Sequence, residues 1–193
     1  MASTPETIRL ALPKGRMQEG VFRLLEDAGI EVRHGNREYR VALNLADVHE
    51  RAGENDAALE EIEACLALHP TYAPAHLRHG RLLMKHGQNE AAVRAFERAR
   101  TLGDLTLPLA QMLGVALART GAWERAARAF ADGAALHPDS LDLALMEAEA
   151  QARSGAAAAA WSALARAERI DGDAARLAAT RAKLVQHIGE ERP

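Results

Sequence analysis

The chain has 193 residues, 48% of them hydrophobic and only 4% aromatic, with a formal net charge of −3. That balance argues against a nucleic-acid or anionic membrane surface, one cysteine rules out an internal disulfide framework, and no stretch reaches the roughly 18 apolar residues of a membrane-spanning helix. With so few rings, its helices must pack through alanine and leucine.

Residues 1–6 are polar. Ile8, Leu10 and Leu12 then alternate with Arg9 and Ala11, the period-two pattern of a strand with one buried face. Pro13, Lys14 and Gly15 break it. Met17, Val21, Leu24, Leu25 and Ala28 come next at helical spacing, with Gly29 as the stop. The first 29 residues therefore read as strand, tight turn, helix. Backbone N–H groups at a helix start, flanked by Lys14 and Arg16, favour an anion, so Lys14, Gly15 and Arg16 form a candidate anion-binding turn. The lone strand offers its edge to the same strand of another copy, a route to a homo-oligomer. Its helix, ending near Ala28, is expected to cap the apolar face of the helices downstream. The opening lacks the apolar core of a secretory signal, which points to a cytoplasmic location.

Residues 31–43 allow a hairpin, with Val32 facing Tyr39 across the His34-Gly35-Asn36 turn. Val41, Leu45, Val48 and Ala52 instead fall on one helical face in register with Gly53, and this predicts a helix from about Glu38 onward.

From residue 39 to 172 one 34-residue pattern recurs four times without insertion or deletion. Glycines mark it at Gly53, Gly87, Gly121, Gly155 and Gly189. Seven residues earlier stand the small residues Ala46, Gly80, Gly114 and Ala148. Five residues later comes alanine in every copy (Ala58, Ala92, Ala126, Ala160), and nine later a large apolar residue (Ile62, Phe96, Phe130, Leu164). Twelve later the positions are small again, Cys65, Ala99, Gly133 and Ala167, and the copies close on Pro70, Asp104, Pro138 and Gly172. Cys65 thus reads as a buried, inert packing residue. A period of this length predicts paired helices stacked as a solenoid. First helices are placed at 39–51, 74–86, 107–119 and 141–153, second helices at 55–68, 89–101, 122–136 and 156–169. A last helix over 174–188 covers the array through Leu177, Leu184, Val185 and Ile188. The predicted organisation is an N-terminal β-α segment (1–36), four repeats (37–172) and a capping helix with tail (173–193), an all-α fold apart from its opening.

Over residues 39–189 this pattern resembles the tetratricopeptide repeat, position by position. The resemblance implies a scaffold that binds a peptide or partner protein in the concave groove lined by the first helices. Counting back from the loop glycines places Leu43, Leu77, Gln111 and Leu145 on that lining, then Asp47, Arg81, Val115 and Glu149, then Glu50, Met84, Ala118 and Ala152. The middle copies give the predicted binding groove: Leu77, Arg81, Met84, Lys85, Gln111, Val115 and Arg119. Apolar anchors beside cations suit a peptide that carries apolar side chains and an acidic group. Arg51, Lys85, Arg119, Arg153 and His187 form a basic series two residues before each glycine, where they also complement the helix dipole. Members of the family that grip a chaperone's C-terminal carboxylate use a Lys and an Asn where Leu43 and Asp47 stand here, which argues against that ligand.

Ile8-Arg9-Leu10-Ala11-Leu12-Pro13-Lys14-Gly15-Arg16, followed by Leu24 to Ile30, resembles the start of the ATP phosphoribosyltransferase catalytic subunit. That resemblance implies that Lys14 and Arg16 approach a phosphate, and it supplies an alternative role in histidine biosynthesis; a self-assembling structural protein is the second alternative. It stops near residue 36, before the phosphoribosyl pyrophosphate loop, so the expectation is no enzyme activity. Residues 37–193 show no Ser-His-Asp order, phosphate loop or paired acids, and no catalytic residue or cofactor is assigned. His76, His79 and His86 lack a Cys or carboxylate at a metal-ligand spacing, and Trp123 and Trp161 read as packing between repeats. Neither nucleic acid nor membrane is expected as a partner.

Overall fold

In the computed structural model the chain divides into two units, Met1–Glu38 and Tyr39–Pro193. The structure describes residues 37–103, 105–170 and 174–189. The predicted strand, turn and helix of residues 1–36, with Lys14, Gly15 and Arg16, lie outside the described residues.

Nine helices follow one another among the described residues, and no strand occurs there: α1 (Arg37–Ala52), α2 (Asn55–Leu68), α3 (Ala73–Lys85), α4 (Asn89–Leu102), α5 (Leu107–Arg119), α6 (Trp123–Leu136), α7 (Leu141–Arg153), α8 (Ala157–Ile170) and α9 (Ala174–Ile188). They form a helix-turn-helix solenoid of four repeats closed by α9. The stops and starts are local chemistry. After α3, the Gly87 N–H donates to the Met84 carbonyl (3.2 Å) and the Gln88 N–H to the Leu83 carbonyl (2.9 Å). This double closure needs a left-handed residue, which glycine alone adopts without a side-chain penalty, and Gly87 has φ +73°. The same pair of hydrogen bonds recurs at Gly53, Gly121 and Gly155. Thr106 and Ser140 cap α5 and α7, each hydroxyl accepting from an N–H three residues on (Leu109 and Leu143, both 3.4 Å).

The interior is built from the positions that recur. Ala58, Ala92, Ala126 and Ala160 are wholly buried, and Ile62, Phe96, Phe130 and Leu164 are at most 3% exposed beside them. Each buried leucine or phenylalanine contributes about 1.5–3 kcal/mol on transfer from water, whereas a helix of this length alone is marginal. Small residues and large ones are matched in pairs. A Cβ on Gly80 would lie 2.5 Å from the Phe96 ring, so only glycine fits under the ring. Gly114 bears the same relation to Phe130. Where the large residue is aliphatic (Ile62, Leu164), its counterpart is alanine (Ala46, Ala148), in the same core cluster.

Stacking between repeats uses the position five before each loop glycine. Leu82, Ala116, Ala150 and Leu184 are at most 2% exposed, whereas Val48, their counterpart in α1, is 60% exposed. Of the stripe predicted through Leu45, Val48 and Ala52, these three residues point away from the repeat core, while Leu43 and Ala46 are buried. Its periodicity marks a stacking edge. Helix α9 packs on α7 and α8 through Leu184, with Leu177, Val185 and Ile188 partly buried.

Candidate functional site

Because the stride is constant, each first helix returns to the same face, and charged side chains bridge from one to the previous one. Arg81 donates to Glu50 (2.5 Å), Lys85 donates to the other oxygen of Glu50, and Arg78 donates to Asp47 and to the Leu43 carbonyl (3.1 Å). Farther along, Lys183 donates to Glu149 (2.7 Å) and Arg176 to Asp142. The Arg78 hydrogen bond holds the Asp47 carboxyl below its ordinary range against the opposing effect of burial. Burial pushes Glu50 up, but the hydrogen bonds from Lys85 and Arg81 outweigh it and the net shift is downward. Both carboxylates are therefore ionised at neutral pH.

The basic series sits in the last helical turns, where a cation offsets the exposed carbonyls, and Lys85, Arg119 and Arg153 each reach a different partner. Lys85 crosses to Glu50. Arg119 crosses to the end of α3, donating to the Met84 carbonyl at 3.4 Å. Arg153 pairs with Glu149 (3.3 Å) and lies over the Trp123 ring, 4.5 Å from its centre. Glu50 thus serves two cations and Glu149 serves two, Arg153 and Lys183, while Arg119 meets no carboxylate among the described residues. Carboxylates cancel only part of the positive charge on this face.

The predicted groove residues divide into three groups. Arg81, Lys85 and Arg119 are exposed, Leu77, Gln111 and Val115 are half-buried, and Met84 is 8% exposed and belongs to the core. Arg81 and Lys85 are brought together on Glu50. Val115 and Arg119 are brought together at a hollow of about 300 Å³, whose walls are Val115 and Ala118 of α5, Trp123 and Phe130 of α6, and Met146 and Ala150 of α7; Arg119 and Glu149 stand at its rim. A second depression, about 570 Å³, runs along α9 beside Arg181 and Glu168, which pair with each other.

Trp123 lies between its own repeat and the next, where it lines the hollow and is half-buried, whereas Trp161 is buried at 7% exposure. The signal was its place two residues after the loop glycine, the first residue of a second helix, whose counterparts are Asn55, Asn89 and Ala157. The histidines go to separate partners. His76 hydrogen-bonds the Pro70 carbonyl (2.9 Å), His79 lies 3.5 Å from Glu63 and His86 3.6 Å from Asp56, which ties α3 to α2. Burial lowers the His79 pKa, with Glu63 opposing. No group of three metal-ligating side chains occurs among the described residues, and no helix there is long and apolar enough to cross a membrane.

Residues 40–82 match the sequence model of the tetratricopeptide repeat. No curated protein matches the chain. Among solved structures, YrrB, described as a TPR protein with an unusual peptide-binding site, superposes with a TM-score of 0.66 at 18% identity, over 86% of this chain and 90% of that one. A MamA structure gives 0.66 at 18% identity, over 82% and 88%. MamA from Desulfovibrio magneticus RS-1 gives 0.62 at 18% identity, over 79% and 84%. The fold is accordingly a tetratricopeptide-type solenoid. None of these matches supports the phosphoribosyltransferase resemblance of the opening residues.

Proposed function

We propose that the chain is a protein-interaction scaffold that holds a peptide segment of another protein along the face of its first helices. One observation carries the reading: on that face Arg81 and Lys85 share a single carboxylate, Glu50, and Arg119, which meets no carboxylate among the described residues, stands at the rim of an apolar hollow. An extended or helical segment with acidic and apolar side chains satisfies both. YrrB, of the same fold, is described as having a peptide-binding site.

The test is selection of random peptides displayed on phage against the immobilised full chain, then fluorescence anisotropy of the selected peptides with wild type and with an Arg81→Glu, Arg119→Glu double variant. The expected result is enrichment of acidic peptides and at least tenfold weaker binding to the variant, whose far-UV circular dichroism stays unchanged. Equal binding to both proteins rejects the reading.

A further inference from the structure

We infer that the hollow between α5, α6 and α7 is the anchor site for that peptide: it takes one large apolar side chain, and a carboxylate one or two residues away meets Arg119. The inference rests on the peptide-binding reading and deepens it.

Size comes first. About 300 Å³ is at the lower end of volumes that hold small ligands, enough for one or two side chains and too little for a folded element. The walls are apolar and of two kinds. Met146 is unbranched and adapts to the shape of what enters. Trp123 is held rigid by Arg153, which stacks on its ring at 4.5 Å and is itself tied to Glu149. Such a fixed ring facing a yielding thioether suits leucine, methionine or phenylalanine.

Repetition provides an internal comparison. At the same two positions between the other copies stand Asn55 with Arg78, Asn89 with Met112, and Ala157 with Thr180. Among the described repeats, an aromatic and a thioether face each other only at this junction.

Charge then selects the partner. Glu149 at the rim is already engaged by Arg153 and Lys183, so it repels little. Among the described residues Arg119 holds only a main-chain carbonyl at 3.4 Å, which leaves further N–H groups for a ligand. A carboxylate accepts two of them in parallel, a geometry that guanidinium offers and ammonium does not.

The experiment uses the full chain with Trp161→Phe, which leaves Trp123 as the one tryptophan. Acetylated, amidated Gly-Ser hexapeptides with a central X-Asp pair are titrated and Trp123 emission is followed, with X as Leu, Met, Phe or Ala, and with Lys replacing Asp as control. A saturable change with Leu, Met or Phe is expected, at least tenfold weaker with Ala or with Lys, and lost in Ala118→Leu, which fills the hollow. Arg119→Gln should bring the Asp peptides down to the level of their Ser analogues. No response from any X-Asp peptide, or an equal response from all of them, overturns the anchor site. Phage-selected peptides separate the two claims. If they depend on Arg81 and Arg119 yet bind Ala118→Leu as they bind wild type, the groove stands and the anchor falls.

Discussion

Replacing Gly80 with alanine tests the packing logic of the whole array. The added Cβ would lie 2.5, 2.7 and 2.8 Å from three carbons of the Phe96 ring, where carbon atoms at rest keep about 3.5–4.0 Å. Phe96 is fully buried, so the ring has no free space into which to retreat. Overpacking of this kind typically costs ~1–3 kcal/mol, and three simultaneous clashes put this case near the upper end. Alanine also relieves the backbone cost of glycine in a helix by about 0.5–1 kcal/mol. The net expectation is a loss of about 2 kcal/mol, or ~4–8 °C in Tm for a chain of this size. Urea unfolding followed by far-UV circular dichroism measures it. In a Phe96→Leu background the same substitution recreates the pair that Ala148 and Leu164 already form, so the double variant should exceed the additive expectation by about 2 kcal/mol. A neutral or stabilising Gly80→Ala in the wild-type background would refute the steric reading.

Two further outcomes bear on charge. His79 has its pKa lowered by burial, with Glu63 opposing and His76 adding to the shift; the unfolded chain then binds the proton more readily, so stability present above pH 6.5, the ordinary value, declines as pH falls below it. His79→Gln should flatten that decline in urea midpoints measured across the range. Glu50 is held below its ordinary 4.5, so its contribution is present above that pH and fades as pH falls through the lowered value. Glu50→Gln should cost only ~0.5–1 kcal/mol, since both its partners are exposed side chains in contact with solvent. It should also tighten acidic peptides by about two- to fivefold at low salt, because two cations lose their shared carboxylate; weaker binding would count against the charge argument.

The architecture was readable because every copy repeats the same stereochemical demands. Four of the nine predicted helices among the described residues have the bounds the stride assigned (55–68, 107–119, 141–153 and 174–188), and the others differ by one or two residues at one or both ends. Ends fray and are set by caps, which the 34-residue count does not encode. The site was less legible for two reasons. Spacing places Arg81 and Glu50 on one face, yet whether two long side chains join depends on the tilt between helices. Trp123 has a packing residue's composition, but it stands at the start of a helix, where its ring overhangs the hollow and is gripped by Arg153. Likewise the stripe through Leu45 and Val48 announces apolar contact without saying on which side.

The size matching inside each repeat also constrains how this gene can be cut and rejoined. A crossover between two copies at the turn after a second helix carries Gly80 away with Phe96, or Ala148 with Leu164, and leaves both fits intact. One at the loop glycine would slide Phe130 over Ala148, or leave Gly80 beneath Ile62 with empty space above it. Recombinants spliced at the first kind of seam should fold, and those spliced at the second should not where they join a glycine-phenylalanine copy to an alanine-aliphatic one.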